Sequence, residues 1–145
     1  MDIYIWFGYV AELLPGLIKA LQLTGISLAL GYPLALVFAV LIDTTPKPLN
    51  WLVIAVVEVG RGIPLLVLLY IFYQGLPQIS IVPSSMVAAV SAFTWSAASY
   101  ATEIIRSSIH SVPSGQIEAA SAIGLDGTDR FRFVVLPQAA RIAIP

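Results

Sequence analysis

Three apolar stretches, each of about twenty residues or more, decide what this chain can become, because a helix of that length crosses the hydrocarbon core of a bilayer. The first runs from about Leu17 to Ile42, LIKALQLTGISLALGYPLALVFAVLI, interrupted only by Lys19, Gln22 and small or helix-bending residues. The second runs from about Trp51 to Tyr73 and the third from about Pro83 to Arg106. Between the first two, DTTPKPLN (43–50) is a turn: two closely spaced prolines cannot continue a helix, and Asp43 and Lys47 seek water. Only 10% of the 145 residues are charged, against about a quarter in a soluble domain, and the mean hydropathy is +0.92. Backbone groups at membrane depth must be satisfied within the segment, so the spans are helical. A transmembrane β-barrel would need short alternating segments, and these runs do not alternate. The expected fold is an all-α integral membrane chain, one domain over residues 1–145, with spans at about 17–42, 51–73 and 83–106.

Composition excludes several other classes. A net charge of −1 is too small to argue for nucleic acid or acidic partners. With no cysteine there is no disulfide framework, thiolate nucleophile or Cys-based metal site. The start, MDIYIWFGYVAELLPG, carries acid rather than a basic n-region, so it does not read as a cleaved signal. His110 stands near Ser108 and Ser111, but no ligand cluster or nucleophile–base pair is legible, and catalysis by the chain itself is rejected. Orientation follows from Lys and Arg near span ends. The 76–84 turn is uncharged, the 43–50 turn holds Lys47, and the stretch after the third span holds Arg130 and Arg132 with Arg106 at its edge. Lys19 is the contrary residue and lies close enough to a span end to snorkel. The N-terminus is therefore expected outside and residues 107–136 in the cytoplasm.

In the third span Ala88, Ala92 and Ser96 recur every four residues, with further Ala and Ser beside them, a surface suited to close helix packing. Gly31 with Pro33, and Gly60 and Gly62 with Pro64, mark kinks in the first two helices. Such breaks line substrate paths in some membrane proteins and are ordinary in others. Glu58 and Arg61 are one helical turn apart, and Glu103 and Arg106 repeat that spacing. Ionisable groups at membrane depth either serve function or brace the fold as ion pairs.

After the third span, Pro113 stops the helix and Ser114 is placed to cap a short helix, GQIEAASAI, which Gly124 ends. Asp126 caps the next piece, GTDRFRFVVL, with Asp129 three residues on and Phe131, Val134 and Val135 on one side. At Pro137 a new helix is expected, and QAARIAI reads as the start of a fourth span. A helix–turn–helix with alanines on its exposed side suits docking into a partner's groove, with Glu118 as a polar anchor. An ordinary cytoplasmic loop fits these residues as well.

The spacing narrows that choice. Glu118-Ala119-Ala120, three residues, Gly124, nine residues, then Val134-Val135-Leu136-Pro137 resembles the EAA loop of ABC-importer permease subunits: E-A-A, a short gap, G, nine residues, I-x-L-P. Val134 for isoleucine is the one departure. RGIPLLVLLYIFYQGLP (61–77) and SYATEIIRSSIHSVPSGQIEAASAIGL (99–125) are similar to the polar amino acid branch of that family, and the first span fits it more loosely. The resemblance implies an ATP-driven importer of polar amino acids in the bacterial inner membrane. It implies partners too: cytoplasmic ABC ATPases, a second permease subunit forming a homo- or heterodimer, and an extracytoplasmic solute-binding protein. ATP hydrolysis would then lie on a separate subunit, and the chain would carry no cofactor or metal of its own. Within the coupling loop, 112–137, it assigns contact with the ATPase to Glu118, Ala119, Ala120, Gly124, Leu136 and Pro137. The candidate substrate-path residues are Glu58, Arg61, Tyr100 and Glu103. Family members have five spans, so the chain is expected to be incomplete beyond QAARIAI. The competing readings are a membrane assembly or regulatory protein that recruits an ATPase without transporting, and a permease for another small solute. Substrate-dependent stimulation of ATP hydrolysis separates a transporter from an assembly factor.

Overall fold

The computed structural model describes the backbone of residues 3–144 and the side chains of residues 12–144. Among the described residues there is no strand; the chain is a succession of helices. Helix α1 (Ile3–Thr44) is 42 residues long, roughly 60 Å at 1.5 Å per residue, and extends beyond both ends of the expected 17–42. It continues through Pro15 and Pro33. Gly31 serves close contact: a Cβ there would lie 3.2 Å from the Ala97 Cβ and 3.4 Å from the Thr94 carbonyl, so its absence lets α1 approach α4 closely. At the far end of α1 the loose carbonyls are capped by side chains. Thr44 and Thr45 hydroxyls donate to Val40 and Leu41 carbonyls at 2.7 and 2.6 Å, and Asn50 reaches back to the Ile42 carbonyl.

Helix α2 (Lys47–Gly62) starts behind Pro46 and packs on α1 through Ile42, Val53 and Val57, with Phe38, Leu41 and Ile54 around them. The expected single span 51–73 is not one rod. Ile63 is extended (φ −92°, ψ 127°), as the residue before a proline prefers, and the chain turns by 105° into the run from Leu65 to Ile79. That run comprises α3 (Leu65–Tyr70), a π turn (Ile71–Gly75) and a 3-10 turn (Leu76–Ile79). The π turn precedes Leu76-Pro77, and a second π turn (Phe131–Val135) precedes Leu136-Pro137. A proline clashes with the carbonyl four residues back and lacks an N–H; at both sites the wider turn shifts the preceding bond to an i→i−5 pair, Leu76 N–H to Ile71 and Leu136 N–H to Phe131.

Helix α4 (Ser85–His110) is capped by Ser84, whose hydroxyl accepts from the Val87 N–H at 3.4 Å. It runs four residues past the expected Arg106. Its small-residue face is buried as the four-residue spacing anticipates: Ala88, Ala92, Ser96, Ser99 and Thr102. Residues 31, 35 and 43 of α1 meet residues 97, 102 and 106 of α4 in that order, so the two helices run parallel. The Thr102 hydroxyl lies 2.7 Å from its own-helix carbonyl at Ala98 and 3.3 Å from Ala35 across the contact. By length and composition α1 can cross a membrane alone, and α2 with the bent run to Ile79 can form a second, broken crossing. Leu17, Leu21, Trp51, Leu66 and Tyr70 lie exposed on the outside of this bundle.

Candidate functional site

Two clusters of sequence-marked residues take shape, one after the end of α4 and one at the break between α2 and α3. The first is the segment after α4. Pro113 ends that helix and itself occupies the cap position of α5 (Ser114–Ala122), with no side-chain cap bond; Ser114 is the first helical residue rather than the cap. The reason lies in Pro113, whose φ of −59° with extended ψ of 135° delivers the chain into a helix one residue earlier. The exit from α5 follows the sequence expectation. Gly124 has φ +86°, its N–H donates to the Ser121 carbonyl at 3.0 Å, and the Leu125 N–H donates to Ala120 at 3.1 Å. That paired arrangement is the Schellman closure, which needs a left-handed residue. Asp126 then caps α6 (Gly127–Arg130), accepting from the Asp129 N–H at 2.8 Å.

Beyond α6 the chain does not restart at Pro137. It stays helical through the π turn 131–135 into α7 (Leu136–Ala143), with Gln138 Nε2 donating to the Val134 carbonyl at 3.0 Å. Val112, Val135 and Ala139 form a buried cluster with Ile109 and Ile117 against it, so α5 is fastened to the end of α4 and to α7. Glu118 and Ala119 are exposed on α5, as are Gly124, Leu136 and Pro137 beyond it. Ala120 is not: it is 4% exposed and faces inward. The outer face of α5 therefore offers one of the two alanines.

The second cluster sits at the helix break. Arg61, in the last turn of α2, reaches Glu58 at 3.2 Å and Glu103 of α4 at 3.5 Å. Tyr100 donates its hydroxyl to the Arg61 carbonyl at 3.2 Å, satisfying one of the carbonyls that a helix end leaves free. All four candidate path residues thus converge. The expected Glu103–Arg106 pair does not form. Arg106 turns to Asp43 of α1, placing Nε and an Nη at 3.1 and 3.0 Å from one carboxylate oxygen, while Glu103 takes Arg61. Residues three apart on α4 sit on adjoining faces, and here each face meets a different helix. Beside Tyr100 an apolar cavity of about 410 Å³ opens, lined by Leu28, Tyr32, Ala97 and Ile104.

Sequence reasoning missed two features. The Asp43–Arg106 contact joins residues 63 apart and left no local signal. Gly60, read as a kink, is where α2 presses on α4: an added Cβ would fall 2.1 Å from the Ser99 Oγ and 2.9 Å from Trp95 Nε1, which itself donates to the Val56 carbonyl at 3.1 Å.

The described residues thus form a bent, helix-only bundle with a buried small-residue seam and many large apolar side chains exposed. The family follows from comparison: residues 31–145 match the model of the binding-protein-dependent transport system inner membrane component, and the chain belongs to that family. A probable glutamine ABC transporter permease protein of Bacillus subtilis strain 168 is 36% identical over 145 residues, covering all of this chain and 67% of that protein. The L-cystine transport system permease protein of the same organism is 39% identical over 130 residues, 90% of this chain and 56% of the relative. Among solved structures, the crystal structure of an amino acid ABC transporter with histidines matches the whole chain and 68% of its own, at a TM-score of 0.90 and 34% identity. The chain thus spans about two thirds or less of the length of these curated relatives.

Proposed function

We propose that this chain is a membrane-spanning permease subunit of an ATP-driven importer of polar amino acids, coupled through α5 to a cytoplasmic ABC ATPase. The observation that carries the reading is the build of residues 112–137: a short helix closed by Gly124, its outer face bearing Glu118 and Ala119, its inner face bolted by Ile117 to α4 and α7. A push on such a helix is delivered to the bundle rather than absorbed in a loop.

The proposed topology has three crossings: α1, the broken run from α2 to Ile79, and α4, with the N-terminus outside. The parallel course of α1 and α4 supports it. With α1 and α4 parallel, the turn holding Lys47 and the segment holding Arg130 and Arg132 share one end of the bundle, and cytoplasmic ends collect the basic residues. In this reading the described residues are one permease domain of the bacterial inner membrane. Its partners are a second permease subunit, the ATPases and an extracytoplasmic binding protein.

The substrate path is assigned to the break in the second crossing. A helix interrupted at membrane depth exposes polar backbone ends that suit a charged or zwitterionic solute. Around that break Glu58 and Glu103 offer carboxylates, Arg61 a guanidinium and Tyr100 an aromatic wall beside the cavity. The amino acid assignment draws on the glutamine and cystine permeases above and on the transporter crystallised with histidines.

The test is Glu118→Lys in the permease purified with its ATPase. A like charge set against a docked acid-binding surface costs more than about 1.4 kcal/mol, so retained ATPase should fall by about tenfold or more while membrane insertion is unchanged. Normal ATPase retention together with normal uptake would sink the coupling assignment.

A further inference from the structure

Two apolar clusters hold the end of the molecule nearest α5, and they share no residue. Ile42, Val53 and Val57, with Phe38, Leu41 and Ile54, join α1 to α2. Val112, Val135 and Ala139, with Ile109 and Ile117, join α4 to α5 and α7. Higher up, α1 and α4 meet closely through Gly31, Ala35, Ala97 and Ala98, with the Thr102 hydroxyl reaching the Ala35 carbonyl at 3.3 Å. Between the two clusters stands Asp43, in the last turn of α1. One of its oxygens is held by Arg106 at 3.0 and 3.1 Å, and the other lies 3.7 Å from Nε2 of His110, one turn further along α4. Asn50 of α2 bonds the Ile42 carbonyl beside it, so α2 is tied to the same point. Four residues beyond His110 α5 begins.

We propose that Asp43 and Arg106 are positioning residues for coupling. Their ion pair keeps the α1–α2 hairpin in register with α4 and α5, so that a displacement of α5 carries the hairpin with it. A guanidinium that places two nitrogens on one carboxylate is directional in a way that apolar contact is not, and it lies where the force from α5 enters α4. The inference rests on the reading of α5 as the ATPase contact and adds the route by which movement spreads from it.

The test uses the permease with its ATPase in lipid nanodiscs. The chain has no cysteine, so Lys47→Cys and Gln116→Cys introduce spin labels at two exposed positions, one on the hairpin and one on α5. Pulsed electron resonance reads the distance between them without nucleotide and with ATP and vanadate. In the otherwise unchanged chain the distance stays the same in both states. With Asp43→Asn it shifts and broadens on trapping while the complex still assembles, and exchanging the charges, Asp43→Arg with Arg106→Asp, restores the single invariant distance. A role confined to stability would lower the yield of complex without making the distance depend on nucleotide. A distance that moves with nucleotide in the unaltered chain, or stays fixed in Asp43→Asn, overturns the proposal alone. An unaltered chain that fails to retain the ATPase overturns the coupling reading and this inference with it.

Discussion

Replacing Gly60 by alanine pits two known energies against each other, and the structure decides which prevails. Alanine is the better helix former by about 1 kcal/mol, so on local grounds the substitution should stabilise α2. Tertiary contact opposes it. The new methyl would stand 2.1 Å from the Ser99 Oγ, 2.9 Å from the Ser99 Cβ and 2.9 Å from Trp95 Nε1. The Ser99 Cβ and the Trp95 ring cannot swing away easily. Ser99 is fully buried, and the Trp95 ring is held by its bond to the Val56 carbonyl and an edge-on contact with Phe72 at 6.0 Å between centroids. Forcing a methylene-sized group into a filled contact costs about 1–3 kcal/mol, and an approach this close belongs at the upper end. The expected net loss is about 2 kcal/mol. At about 2–4 °C per kcal/mol for a chain of this size, thermal unfolding in detergent or nanodiscs, followed by tryptophan fluorescence, should shift down by several degrees. The same substitution in a Ser99→Gly background, where both serine contacts are gone and only the Trp95 contact at 2.9 Å remains, should cost clearly less. A Gly60→Ala chain as stable as its parent, with no difference between the two backgrounds, would refute the tight crossing.

Gly124→Ala meets no steric neighbour but must hold φ at +86°, so a loss of about 1–2 kcal/mol comes from the backbone alone; hydrogen exchange at Leu125–Arg130 should accelerate, with Gly124→Asn milder, and unchanged exchange would count against the left-handed closure. Arg61→Ala removes the guanidinium that Glu58 and Glu103 share at 3.2 and 3.5 Å, but Tyr100 bonds the Arg61 backbone carbonyl and not its side chain, so the complex should still assemble. Uptake, by contrast, should fall sharply if the break is the path; loss of the assembled complex instead would make Arg61 a brace.

The family and the general architecture could be read from the chain because they depend on contiguous or regularly spaced residues. Apolar runs longer than the bilayer is thick specify helices, whatever they pack against. The exit from α5 was equally legible: Gly124 and Asp126 act on backbone groups within a few positions of themselves, so a single window contains the whole of the chemistry. Proline misled at both ends of α5's neighbourhood, because its effect depends on how the flanking turn adapts. At Pro113 the helix starts a residue early, and at Pro137 a π turn absorbs the ring and the helix simply continues.

Partners across helices were a different matter. Glu103 and Arg106 had the spacing of a pair, yet one faces α2 and the other α1, and each bonds to the charge its own face meets. Ala119 and Ala120 are neighbours in the same motif, but 100° of helical rotation puts one outside and one in the core. The sequence alone determined that the chain is built of helices, how α5 closes and which charges need company. The crossing of helices, set by Gly31 and Gly60 and by the 105° turn after Gly62, determined which company they keep. Side-chain pairing between distant residues is fixed by the relative rotation and depth of whole helices, and no local stretch of chain encodes those.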